Sequence, residues 1–254
     1  MNLQGKTILI TGGASGIGLE AARQFYALGN KVIITGRNQA KLDAAKQLMP
    51  GIVTIQSDAA KAEDAQALFD QVKVLGGIDI LYNNAGVGVP PLNLGNANHN
   101  HVAGAVYEME VNYIGVIRLN NLFMELLKKR PEAAIINTTS ILSIVPSVLE
   151  ATYSASKAAL SSYTKTLRSH LKALNSTVRV YELLPPLVDT DMVADRPDKK
   201  LSPEKLVNAL IKGIQNDQFT IRVGDTKTVA VLNRLLPDTV YRIINPKKAF
   251  DVLR

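Results

Sequence analysis

Short apolar runs rich in β-branched residues alternate with longer stretches of helical periodicity along most of the chain, and that alternation leaves little choice of architecture. The runs are KTILIT (6–11), KVIIT (31–35), IVTIQ (52–56), DILYN (79–83), AAIINTT (133–139) and TVRVYELL (177–184). Between them, residues 16–28, 38–48, 61–75, 105–129, 151–174 and 203–216 repeat apolar positions near helical spacing. Parallel strands need helical crossovers, and strands buried on both faces read as unbroken apolar runs. The pattern predicts an α/β fold, a doubly wound parallel sheet with helices on both faces. No Pro/Gly/Ser-rich linker or fixed-period repeat interrupts it, so residues 1–254 read as a single domain. From about residue 219 the pattern weakens. FTIRVG reads as a last edge strand, and the rest of the tail, to 254, as amphipathic pieces broken at Pro237 and Pro246. The tail is expected to pack on its own domain or on a partner subunit.

Composition removes several function classes. The chain has no cysteine, so it offers no disulfide, thiolate nucleophile or Cys-ligated metal, and a cytoplasmic setting is expected. The N-terminal apolar run is too short for a secretion signal, and no later stretch approaches the roughly 20 apolar residues of a membrane span. The net charge is +7, but Lys and Arg are scattered without a basic run interleaved with aromatics, which argues against nucleic acid as a partner. His99 and His101 in NANHNH have no third ligand nearby, so no metal is expected.

The first strand runs straight into TGGASGIG, Thr11 to Gly18, which opens the first helical stretch. In a Rossmann-type turn of this kind Gly12 permits the tight bend, Gly16 lets the backbone approach a pyrophosphate, and Gly18 lets helix and strand pack closely. The helix N-terminus adds free N–H groups and positive dipole, and Ser15 a hydroxyl. After the second strand comes Thr35-Gly36-Arg37-Asn38. The acid that would meet a ribose 2′-OH is absent, whereas Arg37, helped by Lys41, can fork onto a 2′-phosphate. NADP(H) is therefore expected over NAD(H).

Tyr153 and Lys157 in YSASK share one helix face at i,i+4 spacing. An ammonium beside a phenol favours the phenolate, so Lys157 is expected to pull the Tyr153 pKa down. Ser140 ends the fifth run, at the sheet edge where ligands of such folds gather, and can donate to a substrate oxygen.

Together TGGASGIG, Asn83-Asn84-Ala85-Gly86, Asn112 in EVNYIGV, Ser140, YSASK and PPLVDT resemble the short-chain dehydrogenase/reductase (SDR) family over nearly the whole chain. PPLVDT and the tail IRVGDTK…LNRLLP are similar to a subgroup that includes the oxidoreductase encoded with D-alanyl-lipoteichoic acid genes. The resemblance implies an oxidoreductase that moves a hydride between nicotinamide and a carbonyl or secondary alcohol. It implies Tyr153 as general acid in reduction and base in oxidation, Ser140 as oxyanion partner, Lys157 on the nicotinamide ribose, and Asn112 holding a water of the proton relay. It also implies that Asp58 meets the adenine amino group, that Asn84, Ala85 and Gly86 line the adenine ribose, and that Thr190 reaches the carboxamide or phosphate end. Ile17, Ala59, Pro185 and Val188 complete the cofactor set, and a homodimer or homotetramer is implied.

Two departures stand out. Pro185-Pro186 replaces the family's Pro-Gly after the sixth strand, which stiffens the backbone there, and the stretch from Thr190 to Ser202 is short for a substrate lid. The pocket walls expected at 87–92, 141–145 and 187–192 are mostly apolar, with Ser143 the main polar exception and no Lys or Arg to clamp a carboxylate. An apolar carbonyl compound is expected, with Asp189 and Asp191 solvated. Two other functions stay open at this stage, a redox sensor or scaffold that binds NADP(H) with little turnover and an NAD-preferring alcohol dehydrogenase.

Overall fold

The structure is a computed structural model that describes residues 1–96, 100–196 and 198–254. Seven strands among these residues form one parallel sheet: β1 (Thr7–Ile10), β2 (Lys31–Gly36), β3 (Val53–Gln56), β4 (Ile80–Asn83), β5 (Ala133–Thr138), β6 (Val178–Leu184) and β7 (Thr220–Arg222). Their spatial order is β3-β2-β1-β4-β5-β6-β7, so the chain winds outward from β1 in one direction and from β4 in the other. The switch between β1 and β4 opens the crevice in which ligands of such sheets bind.

Helices α1 (Gly16–Ala27), α2 (Gln39–Leu48) and α7 (Pro203–Gln215) cover one face, and α3 (Ala62–Val74), α5 (Gly115–Lys128) and α6 (Ala151–Ala173) the other. Alternate residues of β1, β2, β4, β5 and β6 feed the two cores. Ile8 and Ile10 pack with Phe25 of α1 and Leu210 of α7, whereas Leu9 packs with Leu68 of α3 and Phe123 of α5. Burial on both faces is why these strands carry no polar alternation.

The segment expected as one helix over 105–129 divides into α4 (His101–Met109), a π-helical turn at Glu110–Ile114, and α5. His101 thus opens a helix rather than sitting in a loop, and His99 lies outside the described residues. After β7 the chain forms α8 (Asp225–Leu235), α9 (Pro237–Ile244) and α10 (Lys247–Asp251), with breaks at both prolines. Asn245 ties this end to the body, because its Nδ2 donates to Pro146 O and its Oδ1 accepts from Val148 N. Among the described residues no helix is long and apolar enough to cross a membrane, and no cluster of three His, Cys, Asp or Glu could hold a metal ion.

Candidate active site

A cleft of about 1760 Å³ runs along the C-terminal ends of β1, β2, β4, β5 and β6. Every residue expected to serve catalysis or hold the coenzyme lines it except Gly18 and Asn112, whereas of the expected substrate walls Val87, Ile141 and Leu142 line it together with most of 187–192, and Ser143 does not.

At one end the glycine turn is locked to the end of β4. The Thr11 hydroxyl accepts from the main-chain N–H groups of Asn84 and Ala85, each at 3.0 Å, and Asn84 Nδ2 donates back to Thr11 O at 3.1 Å. Side chains are excluded from this cradle. Gly12 (φ +63°) and Gly16 (φ +52°) are left-handed, and an added Cβ would meet Ala85 Cα and the Thr190 methyl, both at 3.0 Å. A Cβ at Gly18 would lie 2.2 Å from Gly12 O. Gly13, not singled out in the sequence, is needed as well, because a Cβ there would strike Ile34 Cβ of β2 at 2.6 Å. The N-terminal N–H groups of α1 around Ile17 face the cleft unpaired within the helix. Ser15 stands before α1 in extended backbone and does not cap it.

Beyond this cradle, Arg37 follows β2 and its Nη1 donates to the Tyr107 hydroxyl of α4, its guanidinium carbon 5.8 Å from that ring's centroid. Lys41 pairs with Asp191 at 2.9 Å, so Asp191, expected to be merely solvated, is an ion-pair partner. Asp58 turns the chain after β3, its Oδ1 accepting from Ala60 N at 3.0 Å. Ala59 O lies against Gly115, where a Cβ would approach to 2.3 Å.

At the other end, Ser140 begins a short 3-10 turn after β5, and its Oγ accepts from Leu142 N at 3.1 Å. Ser143 Oγ donates to Ser140 O at 2.6 Å and helps to fix this turn. Tyr153 comes from the first turn of α6. Lys157, almost wholly buried, stands one turn on, its Nζ donating to Thr138 O at 3.0 Å and lying 5.7 Å from the Tyr153 ring centroid.

The expected lowering of the Tyr153 pKa by Lys157 is not what this arrangement gives. Burial pushes the phenol well above its ordinary value, the Glu150 and Glu108 carboxylates push it further, and Ser140 and Arg196 oppose them. The Lys157 ammonium is itself destabilised by burial, which brings it down to about 8.

Asn112, in the π-turn, is fully buried and its side chain is committed. Its Nδ2 donates to Val87 O at 2.9 Å and Ser156 Oγ at 3.0 Å, and its Oδ1 accepts from Val87 N at 2.9 Å. It clamps the β4–α4 connection onto α6. Gly86 fits between these groups, since a Cβ there would sit 3.3 Å from Lys157 Nζ and 3.4 Å from Asn112 Oδ1.

Pro185 O accepts from Ile141 N at 2.9 Å, joining β6 to the Ser140 turn, and Pro186 touches the position a Gly224 Cβ would fill. Val188 pairs with Leu201, so the strap of chain that follows β6 is tied together at its two ends. Arg196 of that strap pairs with Glu150 beside Tyr153 at 2.8 Å. Lys248 of α10 also lines the cleft. Sequence reasoning missed both cations because neither lies in a run that follows a strand. It also missed Glu182, the one acid within β6. Its Oε1 accepts from Ser161 of α6 at 2.6 Å and from Thr139 at 3.1 Å, while Oε2 has no partner among the described residues.

These residues fit a nicotinamide dinucleotide. The glycine cradle admits backbone approach of a pyrophosphate, and the Lys157 ammonium, with one of its donors used at Thr138, has others for a ribose hydroxyl.

A family model described as short chain dehydrogenase matches residues 6–201. A Bacillus subtilis (strain 168) protein named uncharacterized oxidoreductase DltE is 38% identical over 228 residues, covering 87% of this chain and 89% of that one. A short chain dehydrogenase from Burkholderia cenocepacia J2315, solved with NADP, superposes with a TM-score of 0.85 at 27% identity, over 96% of this chain and 99% of that one. A Burkholderia phymatum short chain dehydrogenase/reductase solved with NAD gives 0.83 at 22% identity, over 97% and 98%, a likeness of fold. The chain belongs to the short-chain dehydrogenase/reductase family, a DltE-like oxidoreductase of CH–OH and C=O groups on a fold that binds nicotinamide cofactors.

Proposed function

We propose that this chain is an NADP(H)-dependent carbonyl reductase, reversible as an alcohol dehydrogenase, with Tyr153 as the proton-transferring group. One observation carries the reading: Tyr153, Ser140 and Lys157 line the same cleft as the glycine cradle. The bound nicotinamide supplies or accepts the hydride.

The chain's own groups handle the oxygen and its proton. A phenol with a raised pKa stays protonated at neutral pH, which suits Tyr153 to donate to a carbonyl oxygen as its charge grows. Ser140 donates a hydrogen bond to that oxygen, and Lys157, anchored at Thr138 O, would hold a ribose hydroxyl of the coenzyme. Asn112 holds the Val87 segment that forms the pocket wall.

Arg37 and Lys41, with no acid after β2, support NADP(H) over NAD(H). Leu149, Leu187, Met192, Val240 and Ile243 on the cleft walls support an apolar carbonyl or secondary alcohol substrate. We read residues 1–254 as one functional domain with the tail from about 219 packed on it. Association into a dimer or tetramer fits the apolar side chains left exposed on that tail, such as Leu235 (74%) and Val231 (61%). A cytoplasmic setting belongs to the same reading and rests on the cysteine-free sequence.

The test is a nicotinamide-fluorescence titration with NADPH and NADH, followed by a carbonyl and alcohol panel with the tighter coenzyme. Tight NADPH binding with turnover of an apolar carbonyl supports the proposal. Tight binding without turnover across a broad panel favours a sensor or scaffold, and no binding of either coenzyme overturns both.

A further inference from the structure

Lys41 and Asp191 are 150 residues apart in sequence and meet at the cleft, beside the end of β2. Lys41 Nζ donates to Asp191 Oδ2 at 2.9 Å, and the contact holds the Asp191 carboxyl below the usual carboxylate range. Asn38 caps α2 by accepting from Lys41 N at 3.0 Å, which places Lys41 in the same first turn that follows Arg37. Asp191 follows Thr190, whose methyl group packs at Gly16, and begins the turn Asp191–Val193 of the strap. Arg37, which directly follows β2, is engaged among the described residues by the hydroxyl and ring of Tyr107 and by no carboxylate. Of Arg37 and Lys41, the second is therefore already paired with a carboxylate of the same chain.

We propose that Asp191 is a specificity-determining residue for the coenzyme, its carboxylate holding the Lys41 contact that a 2′-phosphate would take and so lowering the preference for NADP(H) over NAD(H). The inference rests on the reading that Arg37 and Lys41 face the adenine ribose. A 2′-phosphate must displace Asp191 from Lys41, and the displaced carboxylate then stands near a second anion. A coenzyme with a free 2′-hydroxyl pays neither penalty. The pair is solvated, with side-chain exposures of 49% and 81%, so the effect is modest and salt-dependent.

The test compares Asp191→Asn with the wild type by titration of nicotinamide fluorescence, using NADPH and NADH at low and high salt. The substitution keeps the shape and removes the charge. NADPH should bind roughly two- to fivefold more tightly at low salt, as expected for removing one exposed charge contact, with NADH unchanged. The gain should shrink in high salt and vanish in a Lys41→Met background. An unchanged NADPH affinity, or an equal gain for both coenzymes, overturns the role of Asp191. The NADH affinity and the melting temperature report folding of each variant independently of activity. Wild-type preference for NADH would overturn the NADP(H) reading alone, and a gain confined to NADPH in Asp191→Asn would still support Asp191. Failure of both coenzymes to bind any variant overturns both.

Discussion

The Lys157 ammonium donates to the main-chain carbonyl of Thr138 at 3.0 Å, which fastens α6 to the end of β5 two residues before Ser140. This places a cation in a nearly waterless position, and burial lowers its pKa from 10.5 to about 8. A lysine whose folded pKa is depressed costs stability wherever it is charged in both states, here below about pH 8. As pH rises from about 8 to 10.5 the folded state releases its proton first, and the cost declines. Full relief is of the order of 3 kcal/mol from the pKa difference.

Lys157→Met should therefore lose turnover by about a hundredfold or more without losing stability at pH 7, an unusual outcome for a buried substitution. Thermal unfolding at pH 7 and at pH 10 checks this. The stability of the wild type relative to the variant should rise between the two. A variant clearly less stable than the wild type at pH 7 would mean that the bond to Thr138 O outweighs the burial of the charge.

Tyr153→Phe removes the hydroxyl and leaves the ring. Coenzyme affinity should stay within about twofold, while turnover falls by roughly a hundredfold or more, the usual worth of a positioned acid or base. The raised phenol pKa also fixes the form of the pH profile. Reduction, which needs the protonated phenol, should hold its rate through neutral and moderately alkaline pH. Oxidation needs the phenolate and should climb with pH without levelling off below about pH 10, the ordinary phenol value. Initial rates in both directions from pH 6 to 10 test this, and an oxidation rate that levels off near pH 7 would mean a phenol pKa below its ordinary value.

At Gly18 the glycine is dictated by a neighbouring carbonyl. A Cβ there would lie 2.2 Å from Gly12 O and 2.6 Å from Asn84 Nδ2. Gly18→Ala must push the cradle off the end of β4, costing roughly 1–3 kcal/mol by overpacking. Coenzyme affinity should fall with it. Denaturant unfolding and titration together check the pair of effects, and an unchanged affinity would separate the cradle from the coenzyme.

The sheet was legible because strands buried on both faces show as bare apolar runs, and the switch between β1 and β4 brought their trailing residues into one cleft. What escaped the sequence depends on tertiary contact. Helical periodicity at 105–129 marked α5 but could not show the π-turn that carries Asn112, nor that α4 begins back at His101, where Asn100 gives no side-chain cap. Gly13 was visible as a glycine, but its reason lies in Ile34 of β2. The pairing of Lys41 with Asp191 had no local signal across 150 residues. The Tyr153 pKa was misjudged because residue spacing reports proximity to Lys157 and says nothing about burial, the largest influence on both groups.

Glu182 gives the last prediction. Its carboxylate joins two elements of the candidate site, Thr139 immediately before Ser140 and Ser161 one turn beyond Lys157. Both hydroxyls are buried, so Glu182→Ala removes a charged acceptor from two donors and opens a space between β6 and α6. The loss should be about 2–4 kcal/mol, from unmade buried bonds and a cavity. Thr139 keeps a second acceptor in Leu183 O at 3.2 Å, which holds the loss toward the lower end. Glu182→Gln retains one acceptor oxygen for both donors and should recover most of the stability. Because Ser140 moves with Thr139, the alanine variant should also lose turnover while coenzyme affinity, set at the far end of the cleft, changes little. Urea unfolding with kcat and coenzyme titration on both variants decides it. If the glutamine variant fell as far as the alanine one, the negative charge rather than the two hydrogen bonds would be what β6 requires.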